Sequence, residues 1–324
     1  MTEETRLCGH RTVTKEAVAT FAALTGDYSR IHLDHRLGQS STWGSGFAHG
    51  LLGASWALGA MTLHAPERVG AGDPTKHVSS FAVRFDAVVR FEDTLAFRFS
   101  DAPAQEDSAN RRQSSTPFEV LNQEDKVVAR GQVTRTAHSP ETAAGTAGGA
   151  ATVDDVWPKE SAGASSEPTV GSTTDLVARG PRGALPIRTL TETDVVNFTG
   201  FTGELNPLYL DTVFSSRALF GKLTIPPMLC FALGFSTWLR EFLRQRGGAG
   251  ESTGSGHLGD RWQWVAPVYV GDTLEVRHRP LSVRPTRSNP ARGVMTFGLQ
   301  LLNQHQEIVL RAEVDMMLDM PALR

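Results

Sequence analysis

The hydrophobic positions of the chain fall into two series of the same order. Each series has an amphipathic helix, a polar loop, an apolar helix and then several strands. In the first series Val18, Phe21 and Leu24 recur at helical spacing, which predicts a helix capped by Thr14 and ended by the glycine after Thr25. The next run, 47–61, is apolar on all sides and predicts a buried central helix.

Strand patterns follow this buried helix. Residues 79–100 alternate apolar and polar side chains and predict two antiparallel strands that turn around Glu92 and Asp93. Residues 118–137 predict a hairpin that turns at 122–126, and the polar stretch 101–115 predicts a flexible loop. One helix wrapped by an antiparallel sheet is an α+β arrangement.

The second half of the chain repeats the first. Residues 194–203 match 17–26, and 302–314 match 121–133, with the elements between them in the same order. Chance matches do not stay collinear over so many elements, so the sequence predicts two copies of one fold.

The copies set the predicted domain boundaries. Residues 1–138 form the N-terminal repeat and residues 183–324 form the C-terminal repeat. Between them, 139–182 is rich in Gly, Ala, Ser, Thr and Pro, which predicts a disordered linker.

Composition narrows the class of protein. The chain has 324 residues, and its formal net charge of −3 gives no reason to expect nucleic-acid binding. The two cysteines, Cys8 and Cys230, are too few and too far apart for a disulfide framework or a zinc site. No apolar run approaches the ~20 residues of a membrane span. We expect an intracellular protein, in the cytoplasm or alternatively in the mitochondrial matrix, and a homodimer is allowed.

Candidate chemistry lies between the first two helices. Asp27 and His32 follow the first helix, and His49 and Gly50 precede the buried helix. A carboxylate and an imidazole beside a helix N-terminus predict an acid/base site next to an oxyanion site. Each residue also has a plain structural interpretation, such as a turn cap or a loop histidine.

The second copy has the same order of elements around this position, but its titratable residues differ. Glu204 stands where Asp27 is, Tyr209 replaces His32, and Pro226-Pro227 replaces His49-Gly50. Tyrosine is no base at neutral pH, with an ordinary pKa near ~10. Since proline also lacks the backbone N–H, we predict a site that has lost its activity.

The N-terminal residues resemble the MaoC-like hydratase/dehydratase family of the hotdog fold. The matching positions are Phe21, Thr25, Gly26, Asp27, His32 and Asp34, followed by Ala48-His49-Gly50. The family's later strand motif matches best in the second copy, at Ala266-Pro267-Val268 and Gly271-Asp272-Thr273-Leu274. The resemblance covers both halves and implies a double hotdog.

The resemblance also implies an activity. It is that of an (R)-type 2-enoyl-thioester hydratase or 3-hydroxyacyl-thioester dehydratase, acting on a coenzyme A (CoA) or acyl-carrier-protein thioester without a metal or other cofactor. His32 would be the general base, Asp27 would orient water and return a proton, and the Gly50 N–H would meet the oxyanion. His49 and Ser29 are candidate oxyanion or substrate-binding residues together with Gly50. His49 would alternatively brace the loop, and Ser29 stands where the family has asparagine.

Two other functions stay open. The first is a non-catalytic acyl-thioester-binding subunit of a hetero-oligomeric dehydratase, suggested by Ser29-Arg30 in place of the family's Asn-Pro. The second is a hotdog thioesterase. A metal site at His32, Asp34 and His35 has no further well-spaced ligand, and we expect Asp34 to cap a helix.

Overall fold

One antiparallel sheet runs through both repeats. The structure is a computed structural model that describes residues 6–40, 44–100, 105–106, 112–138, 183–245, 256–289 and 291–319. The first repeat contains β1 (Arg6–Thr12), α1 (Lys15–Thr25), α2 (Arg30–Leu33), α3 (His35–Ser40), α4 (Gly50–His64), α5 (Pro66–Val69), β2 (Lys76–Phe85), β3 (Thr94–Phe99), β4 (Gln105–Glu106), β5 (Arg112–Leu121) and β6 (Val127–Ala137). The second repeat contains β7 (Gly183–Thr189), α6 (Glu192–Thr202), α7 (Pro207–Leu210), α8 (Thr212–Arg217), α9 (Pro227–Gln245), β8 (Gly256–Trp264), β9 (Thr273–Pro285), β10 (Arg292–Leu302) and β11 (Ile308–Asp319).

The strand order shows the duplication directly. It runs β1-β3-β5-β6-β2-β8-β11-β10-β9-β7, with β4 beside β5, so both halves have the same order when read from the edge to the middle. The halves join where Ser80–Arg84 of β2 pairs antiparallel with Gly259–Gln263 of β8. The predicted α+β fold of two repeats, each with a central helix against an antiparallel sheet, is confirmed.

The helices follow the sequence signals closely. Thr14 caps α1 by accepting a hydrogen bond from the Ala17 N–H at 3.1 Å, and Gly26 ends the helix with φ at 81°. The central helix α4 begins at Gly50, three residues later than predicted. Before it, Phe47 forms an isolated antiparallel bridge with Arg90 in the adjoining loop, so the helix does not extend back to this residue.

Two strand predictions are wrong. β2 and β3 are not hairpin partners, since β2 lies between β6 and β8 while β3 lies between β1 and β5. The predicted loop 101–115 also contains the start of β5, because Arg112 and the next residues pair with the end of β6. The predicted linker 139–182 lies outside the described residues.

The repeats also meet through their helices. Gly59 in α4 lies so close to the carbonyl of Thr202, the last residue of α6, that a Cβ atom at Gly59 would overlap it. Arg11 donates a hydrogen bond to the Phe201 carbonyl at 2.9 Å. No helix in the described part of the chain has both the length and the apolar character that crossing a bilayer requires.

Candidate active site

The loop after α1 and the residues before α4 meet at one end of a cavity between the repeats. The cavity has a volume of about 330 Å³ and is lined by Asp27, Ser29, His32, His49 and Gly50, the five residues singled out in the sequence. The structure therefore brings together residues that lie at two separate places along the chain.

Asp27 is a buried carboxylate with a local hydrogen-bond partner. The Ser29 hydroxyl donates to Asp27 Oδ1 at 2.5 Å, and the Ser29 N–H donates to the same oxygen at 3.2 Å. Burial raises the pKa of Asp27, but the charges that His49 and His32 can carry, together with these hydrogen bonds, outweigh burial and lower it. Ser29 thus occupies Oδ1, whereas Oδ2 lies 3.9 Å from His49 Nε2, beyond hydrogen-bond distance.

His32 is held in one tautomer. Its Nδ1 lies 3.0 Å from the carbonyl oxygen of Phe47, and since a carbonyl only accepts, Nδ1 carries the proton. The lone pair of the neutral ring is therefore on Nε2. Burial, and next the charge of His49, lower the pKa of His32 to about 3, so the ring is neutral at pH 7.

His49 braces the loop that carries Asp27. Its Nε2–H donates to the backbone carbonyl of Asp27 at 2.9 Å, and its ring centroid is 3.9 Å from that of His32. Burial lowers the pKa of His49. His49 Nδ1 is buried and makes no hydrogen bond to any described residue. The geometry fits the bracing role expected from the sequence.

Gly50 opens the central helix. As the first residue of α4, its N–H has no acceptor within the helix and is free for a ligand. A Cβ atom here would lie 2.8 Å from Cζ of Phe85, so the glycine also makes room for the Phe85 ring. The sequence predicted the glycine for ligand access and missed this packing requirement.

Three groups lie close enough to act together. Ligand atoms of Asp27, His32 and His49 lie within 4.8 Å of one another. Two groups at such a distance can share one water molecule, since each hydrogen bond spans about 2.8 Å. The same three could hold a cation, whereas Asp34 instead caps α3 through the N–H groups of Arg36 and Leu37. The absence of a metal cofactor stays a prediction.

At the matching place in the second repeat, Glu204 and Tyr209 are both buried. Glu204 Oε2 and the Tyr209 hydroxyl are buried and form no hydrogen bond to any described residue. Burial raises the pKa of Glu204 to about 8 and that of Tyr209 well above its ordinary value. Both groups are therefore neutral at pH 7.

The opposite wall of the cavity comes from the second repeat, and the sequence did not predict which residues form it. They include Phe235, Leu239, Leu243, His257, Leu258 and Met316. Most of the second-repeat residues that line the cavity are apolar, and His257 and Arg292 are the exceptions. A comparison of the two copies position by position could have found His257, because its counterpart in the first copy is a valine.

Known families match both halves of the chain. Residues 2–120 match the MaoC like domain, and residues 187–312 match the dehydratase domain region of FAS1-like proteins. A search of curated proteins gives no match.

Solved structures share the whole architecture. A MaoC-like dehydratase is 17% identical with a TM-score of 0.67, covering 97% of this chain and 95% of its own. A conserved hypothetical Mycobacterium tuberculosis protein with a double hotdog fold is 16% identical, with a TM-score of 0.66 and coverage of 98% and 97%. The peroxisomal multifunctional enzyme type 2 of Drosophila melanogaster is 14% identical, with a TM-score of 0.57, covering 95% of this chain and 48% of that longer one.

At these identities the solved structures show the fold alone. The chain is a double hotdog protein, with one repeat on each side of the β2–β8 pairing. Its N-terminal repeat matches the MaoC like domain, and its C-terminal repeat matches the dehydratase domain region of FAS1-like proteins.

Proposed function

We propose that the chain is a hydro-lyase that adds water reversibly to a 2-enoyl thioester carried on CoA or acyl carrier protein. The main support for this activity is the arrangement of three groups in the cavity. A carboxylate, Asp27, and a neutral histidine of fixed tautomer, His32, lie together at the end of a largely apolar cavity, beside the free N–H of Gly50. Acid/base groups and an oxyanion donor are what this reaction requires.

In hydration, a water molecule lies between His32 Nε2 and the free oxygen of Asp27. His32 takes one proton from the water as the oxygen bonds to Cβ, and the electrons of the double bond move through Cα to the thioester oxygen. The Gly50 N–H and the N-terminus of α4 stabilise that charge. The proton then passes from His32 to Asp27 and on to Cα, which completes the addition of one water.

The decisive experiment compares the two repeats. Asp27→Asn and His32→Ala should each lower crotonyl-CoA hydration by at least about 10²-fold, the contribution of a general acid or base. Glu204→Gln and Tyr209→Phe are the matched controls in the second repeat and should retain activity. Hydration is followed by the loss of enoyl absorbance, with circular dichroism to check the fold. Full activity in the Asp27 or the His32 variant would refute the assignment.

One observation favours the non-catalytic alternative. Ser29, in the place of the family's asparagine, bonds to the carboxylate itself and leaves only one Asp27 oxygen for water. If the chain is only a binding subunit, the purified protein will bind acyl-CoA without hydrating it and will become active with a partner subunit. Release of free CoA in the same assay would instead indicate a thioesterase.

A further inference from the structure

A bulge in β8 turns a histidine toward the cavity. The pairing of β8 with β11 matches Gly259 with Asp315 and His257 with Met316, so Leu258 is an extra residue. In a regular strand, residues three apart face opposite sides of the sheet. The bulge therefore places His257 on the same side as Asp260, where His257 Nε2 lies 2.7 Å from Asp260 Oδ1.

Asp260 is a costly group to retain at this position. Its side chain is fully buried, and Oδ2 makes no hydrogen bond to any described residue. Burial raises the pKa of Asp260, and the imidazole beside it opposes that shift. A carboxyl group in such a place lowers stability unless it is well paired, so a plain packing role does not account for it.

The first repeat shows that the fold does not require this pair. Its strand β2 has the same bulge, since its register with β6 shifts between Val78 and Ser80. The residues that correspond to His257 and Asp260 are Val78 and Phe81, and both are buried. Of these four residues, only His257 lines the cavity of Asp27 and His32.

His257 lies on a wall of the cavity whose other second-repeat residues are apolar except Arg292. Its ring stacks on Phe235 at 4.5 Å between centroids and meets the edge of Phe85 at 4.9 Å, and Phe85 packs on Gly50. With Nε2 bonded to Asp260, Nδ1 makes no hydrogen bond to any described residue. An alkyl chain that filled the cavity would exclude water from this nitrogen and leave it buried without a hydrogen bond.

We propose that His257, positioned by Asp260, determines specificity by binding a polar oxygen on the acyl chain, as a hydroxyl or a carboxylate. This inference rests on the proposed function for the thioester and adds the class of acyl group. The neutral ring accepts a hydrogen bond at Nδ1 from a hydroxyl, and the protonated ring donates one to a carboxylate.

Binding of saturated acyl-CoAs tests the inference without turnover. Isothermal titration compares alkanoyl-CoAs of four to ten carbons with the ω-hydroxy and ω-carboxy compounds of the same lengths. We expect at least one oxygenated compound to bind about tenfold more tightly than its alkyl counterpart, the contribution of one hydrogen bond. His257→Leu should abolish that preference, and Asp260→Asn should reduce it severalfold. Tyr209→Phe is the control.

The outcomes separate this inference from the proposed function. No preference at any chain length, or a preference that survives in both His257→Leu and Asp260→Asn, overturns the role of His257 even if the chain hydrates enoyl-CoA. A preference without hydration supports the role of His257 and counts against the hydratase. If His257→Leu does not fold, His257→Gln, which keeps a polar group of similar size, replaces it and should reduce the preference.

Discussion

The buried carboxyl group of the second repeat predicts how stability depends on pH. Glu204 has a pKa of about 8 in the folded protein, against an ordinary value of 4.5. The folded state therefore keeps a proton that the unfolded chain releases. Below pH 4.5 both states are protonated and Glu204 costs nothing, whereas above this pH the cost grows until the folded group itself ionises near pH 8.

The magnitude follows from these two values. Each pH unit between them costs about 1.4 kcal/mol, so at pH 7 the free energy of unfolding is lower by up to about 3 kcal/mol than with a group that does not titrate. Glu204→Gln has a similar shape and does not titrate. Any difference in packing between Gln and Glu changes the free energy of unfolding by the same amount at every pH. The part of the difference between variant and wild type that varies with pH therefore comes from the carboxyl group.

Urea unfolding of the wild type and of Glu204→Gln, measured from pH 5 to pH 8, tests this. The stability of the variant relative to the wild type should rise steadily with pH. Asp260, whose pKa is also raised by burial, is present in both proteins and cancels in the comparison. Parallel stability curves over this range would show that Glu204 is not a buried, protonated group and would refute the reasoning.

Three further predictions concern the active site and the packing of α4. Because the pKa of His32 is about 3, kcat/KM for hydration should change less than about twofold between pH 8 and pH 5.5. A decline of kcat/KM with a midpoint near 6.5, the ordinary pKa of histidine, would contradict a neutral His32. Gly59→Ala should lower the free energy of unfolding by about 3 kcal/mol, because its Cβ overlaps the Thr202 carbonyl. Gly53→Ala in the same helix is the control: its Cβ would lie 3.6 Å from Leu95 Cδ1, and it should be neutral or stabilising. Equal effects of the two substitutions in urea unfolding would rule out the close contact at Gly59. Dialysis against EDTA should leave hydration unchanged, and a loss of activity restored by added zinc would show a metal at Asp27, His32 and His49.

Local signals in the sequence predicted helices and turns well. Thr14 and Gly26 define α1 because capping depends on a few neighbouring residues. The repeat also predicted which half carries the candidate acid/base pair, since it supplied a comparison for Asp27 and His32. These predictions needed no knowledge of which strands are neighbours.

Features that depend on strand neighbours were missed. The edge strands β1 and β7 were not predicted, because β1 contains Gly9 at φ 60° and β7 contains Pro186, and both residues are atypical of strands. The pairing of His257 with Asp260 depends on a bulge whose position shows only in the register with β11. A three-residue spacing in a strand pattern otherwise predicts opposite faces.

The pairing of β2 with β8 also makes the order of synthesis important. Phe81 and Trp262, whose rings stack across this junction, are more than half of the chain apart. A ribosome therefore completes β2 long before its partner strand exists. Until β8 emerges, the nascent first repeat has an unpaired strand edge, the kind of surface that joins to other chains. We therefore expect the first repeat produced alone to self-associate through β2.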